Sequence, residues 1–106
     1  MEIVLLKQAK RELRHAPPDV IQDINTLFED LGSGKMLSMP ISRPLPSIAK
    51  GLHELRLSGT HGEYRVFYVI RVEDAIYVIH ATEKKKNELD RKTAELLRLR
   101  IRSLGL

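Results

Sequence analysis

Cysteine and tryptophan are absent from the 106-residue chain, and aromatic residues make up only 5% of it. Without cysteine, the chain cannot be a disulfide scaffold, a thiolate metal site or an enzyme with a cysteine nucleophile. No apolar run approaches the roughly 20 residues of a membrane-spanning helix. No basic stretch precedes the short apolar run near the N-terminus, so we expect no signal peptide. These absences predict a cytoplasmic protein with no membrane partner.

Several motifs for cofactor and metal chemistry are also missing. The four histidines offer no closely spaced ligand pair, and there is no HExxH motif. There is no glycine-rich phosphate loop and no GxSxG nucleophile motif. We therefore expect neither a metal site nor a cofactor.

The remaining composition is that of a soluble globular domain with a basic surface. Hydrophobic residues make up 42% of the chain and charged residues 30%, which predicts a single domain over residues 1–106. The net charge is +4, and most of the excess lies after residue 50. A small basic domain favours an anionic partner, nucleic acid first.

The apolar pattern predicts two helices, three strands and a last helix. Two apolar stripes of helical period, separated by Pro17 and Pro18, indicate a helical hairpin. Residues 2–5 could instead form a short strand, and residues 36–39 could pair as an edge strand. Alternation of apolar and polar residues predicts strands over residues 52–58, 64–71 and 75–82. Apolar residues on one helical side predict a helix over residues 87–104.

The predicted fold class is α/β, more closely α+β. A helical hairpin packs on one face of a curled antiparallel sheet of three to four strands, and a helix follows. The opposite face of the sheet is expected to stay partly open.

Strand alternation places charged residues together on that open face. Glu54 and Arg56 point to the same side of their strand, and Arg65 on the next strand joins them. Two guanidinium groups beside a carboxylate suit phosphate binding. They equally suit a salt-bridge ladder with no function. On an open face these arginines would contribute little to stability.

Two further features lie near the end of the third strand. Lys84, Lys85 and Lys86 form a basic run that could curl over the open face or be a solvated turn. His80 comes shortly before them, and an imidazole with an ordinary pKa near 6.5 can act as an acid or a base. It can equally be a packing residue at the strand end.

Three ordered motifs of the chain resemble a known family. They are residues 51–56 (GLHELR), residues 64–68 (YRVFY) and residues 79–81 (IHA), which lead into Lys84 and Lys85. The sequence resembles the RelE/ParE superfamily of toxins, most closely its HigB-like, phage Gp49-like branch. The resemblance covers the whole chain and implies the RelE-like fold.

The resemblance implies a toxin of a type II toxin–antitoxin system that cleaves mRNA in the ribosome without a metal. A ribose 2′-hydroxyl attacks the adjacent phosphate, which Arg56 and Arg65 polarise. Glu54 is the first choice of general base and His80 the second. The residues carried over as catalytic are Arg56, Arg65, Glu54, His80, Lys84 and Lys85. Those carried over as RNA-binding are Lys84, Lys85, Lys86 and Arg91.

The resemblance also implies partners. These are mRNA, the ribosome and a cognate antitoxin, expected to be a helix-turn-helix protein with an acidic or amphipathic contact segment. Thr82 and Glu83 depart from the family pattern, and no tyrosine or histidine follows His80. A ParE-like gyrase inhibitor, a nucleic-acid-binding module without catalysis and an inactive interaction domain therefore stay open.

Overall fold

A computed structural model describes residues 1–59, 62–71, 75–83 and 89–105 of the chain. Its elements in chain order are β1 (Glu2–Leu5), α1 (Lys7–Leu13), α2 (Pro18–Gly32), β2 (Ser42–Pro44), β3 (Leu52–Gly59), β4 (Gly62–Arg71), β5 (Ala75–Glu83) and α3 (Arg91–Ser103). The strands form one sheet in the order β1-β5-β4-β3-β2. Strand β1 runs parallel to β5, and the other pairs are antiparallel.

The predicted α+β fold is confirmed, with more strands than the predicted three to four. Residues 2–5 do form a strand, which adds a parallel edge beyond β5. The opposite edge strand is β2, so the prediction for residues 36–39 is wrong. The edge strand includes Ser42 because this residue is buried, with its hydroxyl 2.7 Å from the Tyr68 hydroxyl of β4. Met36, in contrast, is 87% exposed.

Local sequence signals set the ends of the longer helices. Pro18 lies in the first turn of α2, where its missing N–H costs nothing, and Asp19 is close to the positive end of the helix dipole. Helix α3 is capped by the Asp90 side chain, which accepts a 2.7 Å hydrogen bond from the Thr93 N–H. Helix α3 therefore begins at Arg91, later than the predicted residue 87. None of the described helices is long and apolar enough to cross a membrane.

The sheet has an apolar core on each face. On one face, α1 and α2 cover a cluster of buried side chains from the sheet that includes Leu55, Val66 and Tyr68. On the other face, Leu97 of α3 clusters with Phe67. This second core corrects the expectation of an open face, since the apolar side of α3 packs against it.

The turn before β3 requires glycine at position 51. Gly51 has φ +81°, and a Cβ there would lie 2.7 Å from the carbonyl oxygen of Ile70. That carbonyl belongs to the neighbouring strand, which donates the Ile70 N–H to the Gly51 carbonyl at 2.9 Å. A side chain at this position would therefore separate β3 from β4.

We predict that Gly51→Ala lowers the free energy of unfolding by more than about 2 kcal/mol, because left-handed strain adds to a backbone clash. Urea denaturation measures this. Gly34→Ala is the matched control, since Gly34 has φ +93° and open space around it. The strain alone should cost that variant about 1–2 kcal/mol. Equal losses in the two variants would show that the close approach to Ile70 is unimportant.

Candidate functional site

A buried carboxylate between two arginines lies on the α3 face of the sheet. Glu54 is only 2% exposed. Its Oε2 is 3.2 Å from Arg65 Nε, and its Oε1 is 3.4 Å from Arg56 Nε. Strand alternation thus brings together the three residues that the sequence places on one face. Their setting differs from the expectation, because Arg65 is 6% exposed and is no surface charge.

The register of the sheet arranges the polar residues in rows across the strands. Arg43 on β2 is paired with Glu54 on β3, Glu54 with Phe67 on β4, and Phe67 with His80 on β5. Directly paired residues project from the same face of a sheet. Phe67 therefore separates Glu54 from His80, whose Cα atoms lie about 10 Å apart, two strand spacings.

A cleft of about 390 Å³ opens beside Glu54. Three strands, β2, β3 and β4, contribute most of its polar lining. The segment after β2 and the start of α3 contribute its apolar lining. The lining residues are Arg43, Ser47, Glu54 and Arg65 on the polar side and Leu45, Ile48, Leu89 and Ala94 on the apolar side. Arg56 is not among the residues that line this cleft; it lines two other clefts, beside Ile41 and Leu57.

One atom of the buried carboxylate lacks a hydrogen bond. Glu54 Oε1 accepts none from the described residues, although Arg56 is within ion-pair distance. Buried polar atoms are almost always hydrogen-bonded, and an exception calls for an explanation. Oε1 is itself shielded from solvent and lies on the Arg56 side of the carboxylate, whereas Oε2 lies beside Arg65, which lines the cleft.

His80 belongs to a second polar cluster, which joins α1, β5 and α3. Its Nδ1 is 3.0 Å from both carboxylate oxygens of Glu12. Arg100 donates to the same two oxygens at 2.8 and 3.0 Å and to the Ile79 carbonyl at 2.9 Å. On its other side, the His80 ring stacks on Phe67 with centroids 5.7 Å apart. His80 is therefore held by the fold and is not beside Glu54.

Burial and charge both act on this second cluster. Burial lowers the pKa of the His80 imidazole, and the nearby Arg100 charge lowers it further, against the opposing effect of Glu12. Burial alone would raise the pKa of the Glu12 carboxyl. Its bonds with Arg100, the charge of His80 and the bond from the Ala81 N–H together hold that pKa below its ordinary value.

The basic residues predicted to bind RNA are placed differently. Lys84, Lys85 and Lys86 lie outside the described residues. The Arg91 side chain is 92% exposed at the start of α3, where its Nε bonds to Glu95 at 3.2 Å. Among the described residues, no group of three acidic or histidine side chains could hold a metal ion.

Sequence reasoning missed three residues near these clusters. Glu12 and Arg100 are 88 positions apart, and no periodic pattern links them. Arg43 lies between prolines in a stretch interpreted as irregular. Only the pairing of β2 with β3 brings it beside Glu54.

Comparison with known families identifies the chain. The family described as Phage derived protein Gp49-like matches residues 11–102. The chain belongs to this Gp49-like family. None of the curated proteins matches the Gp49-like chain.

Two solved structures share the fold of this Gp49-like protein. The crystal structure of the intact E. coli RelBE toxin–antitoxin complex contains a chain with TM-score 0.52 and 14% identity, with coverage of 80% of this chain and 98% of that one. A doubly substituted mutant of the E. coli toxin RelE in the free state has TM-score 0.52 and 15% identity, covering 97% and 96% of the two chains. Together with the family match, they confirm the predicted place in the RelE/ParE superfamily.

The burial of Arg65 predicts a large structural cost for its removal, contrary to the expectation for an open face. Arg65→Ala should lower the free energy of unfolding by about 3–5 kcal/mol, because it leaves the buried Glu54 carboxylate with one partner fewer. Arg56→Ala should cost less, since that side chain is 31% exposed. Urea denaturation measures both, and Glu54→Gln combined with Arg65→Ala should recover part of the loss. No recovery in the double variant would contradict this account of the pair.

The His80 cluster predicts a loss of stability in acid. Because the pKa of folded His80 lies below 6.5, the unfolded chain binds the proton more readily. The stability it contributes is present above pH 6.5 and is lost as pH falls through the lowered pKa. Glu12 adds a further loss below pH 4.5. From pH 7 to pH 5, the free energy of unfolding of wild type should therefore fall more than that of His80→Gln. Parallel curves for the two proteins would show that His80 does not titrate in this way.

Proposed function

We propose that this protein is the toxin of a type II toxin–antitoxin pair and cleaves mRNA on the ribosome. The family match and the fold shared with RelE support a toxin. The observation that carries the enzymatic part is the buried Glu54 carboxylate, held between two arginines at the side of a cleft. Such a group is ready to act on a substrate that supplies an O–H donor and a phosphate.

In the proposed mechanism, side chains of this protein supply the base, the phosphate-stabilising charges and the acid. Glu54 takes the proton from a ribose 2′-hydroxyl while that oxygen attacks the adjacent phosphorus. Arg65 and Arg56 stabilise the negative charge that develops on the phosphate oxygens, which is usually the largest contribution to such catalysis. The bond to the 5′-oxygen of the next nucleotide breaks, and that oxygen takes up a proton, from Lys84 or Lys85 in this proposal. Lys86 and Arg91 hold the RNA backbone.

The geometry favours Glu54 over His80 as the general base. A base must lie within hydrogen-bond reach of the proton it removes. Glu54 lines the cleft with Arg65, whereas His80 does not line it and its Nδ1 faces the Glu12 carboxylate at 3.0 Å. His80 therefore acts here as a packing and hydrogen-bonding residue.

The partners in this proposal are the ribosome, mRNA and a cognate antitoxin in the cytoplasm. The net charge of +4 suits an acidic or amphipathic antitoxin segment, as complementary charge speeds the encounter of two proteins. The matched RelBE structure is a toxin–antitoxin complex. We infer that this chain is neutralised by an equivalent protein.

Induced expression in bacteria tests the proposal. Growth should stop because translation stops, so methionine incorporation should fall before thymidine incorporation does. Primer extension on a reporter mRNA should show new 5′ ends within the reading frame. With Glu54→Gln, the rate of cleavage on programmed ribosomes should drop about 10²–10³-fold.

Two comparisons make the test decisive. His80→Gln is the matched variant outside the cleft and should cleave at a rate close to wild type once its folding is verified by circular dichroism. If thymidine incorporation collapses first and no new mRNA ends form, the protein is a gyrase-directed toxin and the ribonuclease proposal is wrong.

A further inference from the structure

The cleft beside Glu54 has the features of a ligand site, and the inference drawn from it rests on the proposed function. The Glu54 carboxylate lines this cleft, and an ionised carboxylate accepts hydrogen bonds. A ribose hydroxyl is a donor for such a bond, and a deoxyribose has none at the 2′ position.

Arg43 places a second guanidinium group at the same cleft. It is paired with Glu54 across β2 and β3, so it stands on the same face of the sheet. It is exposed, and it lines the cleft together with Arg65. The strands of the two arginines flank β3 and are about 10 Å apart. Two long side chains can close on one phosphate across that distance, each with the planar donors that match phosphate oxygens.

The cleft also has apolar lining residues, as ligand pockets do. Leu45, Ile48 and Leu89 line it together with the charged groups. Ligand pockets combine such apolar walls with a few polar groups that fix orientation. A volume of about 390 Å³ is at the lower end of the range for ligand pockets, roughly 300–1,000 Å³. This is the size for one nucleotide unit and not for a longer segment.

We propose that this cleft is a subsite for one ribonucleotide, with Arg43 as a phosphate-binding residue. The 3′-phosphate lies between Arg43 and Arg65, and the 2′-hydroxyl donates to Glu54. The base packs on the wall of Leu45 and Ile48. The protein then has an intrinsic affinity for a nucleotide, independent of the ribosome.

Calorimetric titration of the purified protein with adenosine 3′-monophosphate tests the subsite. Arg43→Ala should weaken binding about tenfold or more, as expected for a lost charged hydrogen bond. The 2′-deoxy analogue and inorganic phosphate should each bind more weakly than the ribonucleotide. Arg98→Ala is the control, since Arg98 is exposed on α3 and does not line the cleft. It should bind like wild type.

Several results would overturn the inference. One is that wild type does not bind the nucleotide. Another is that Arg43→Ala binds it as tightly as wild type does. A third is that inorganic phosphate or the deoxy analogue binds wild type as tightly as the ribonucleotide does. The outcome is separable from the proposed function, because the titration contains no ribosome. Nucleotide binding without translation arrest would refute the proposed function and leave the subsite in place. Arrest without nucleotide binding would refute the subsite alone.

Discussion

The ion pair between Glu12 and Arg100 is the contact on which the arrangement of this molecule depends. Arg100 binds both oxygens of Glu12 and the carbonyl of Ile79, so a single guanidinium joins α1, β5 and α3. Bidentate pairs of this kind fix orientation as well as distance. The pair holds α3 against the second face of the sheet, where Leu97 packs on Phe67. The same placement brings the start of α3 to the cleft as one of its walls.

Covering this face changes what the charged residues do. On an open sheet, Glu54 and Arg65 would be hydrated, and their interaction would be weak. Under the segment after β2 and α3 they are nearly excluded from water, so each needs the other. Burial also strengthens their field at the cleft. Stability and proposed catalysis are therefore supplied by the same side chains, and a variant of Arg65 changes both. Glu54→Gln keeps the shape of the side chain but leaves the buried Arg65 without its counter-charge, so its folding must be verified before its rate is compared with wild type.

The sequence predicts those features that follow from local periodicity. Alternation alone places Glu54, Arg56 and Arg65 on one face, because a strand has a side-chain period of two. It cannot show how deep that face lies, because this depends on α3, which is distant in sequence. The shift of register after Phe67 sets His80 opposite that ring, and no spacing in the sequence shows such a shift. Pro44 and the short length of β2 conceal Arg43, since a three-residue edge strand has almost no pattern.

The position of Phe67 decides how the two polar clusters relate. It lies in the row between Glu54 and His80 and is fully buried. Its ring covers one side of the His80 imidazole, while Nδ1 faces the Glu12 carboxylate. Proton transfer between the clusters would have to cross this apolar ring. The His80 cluster therefore affects the site through the placement of α3 and not through a proton. Acid should therefore weaken the fold through His80 and Glu12.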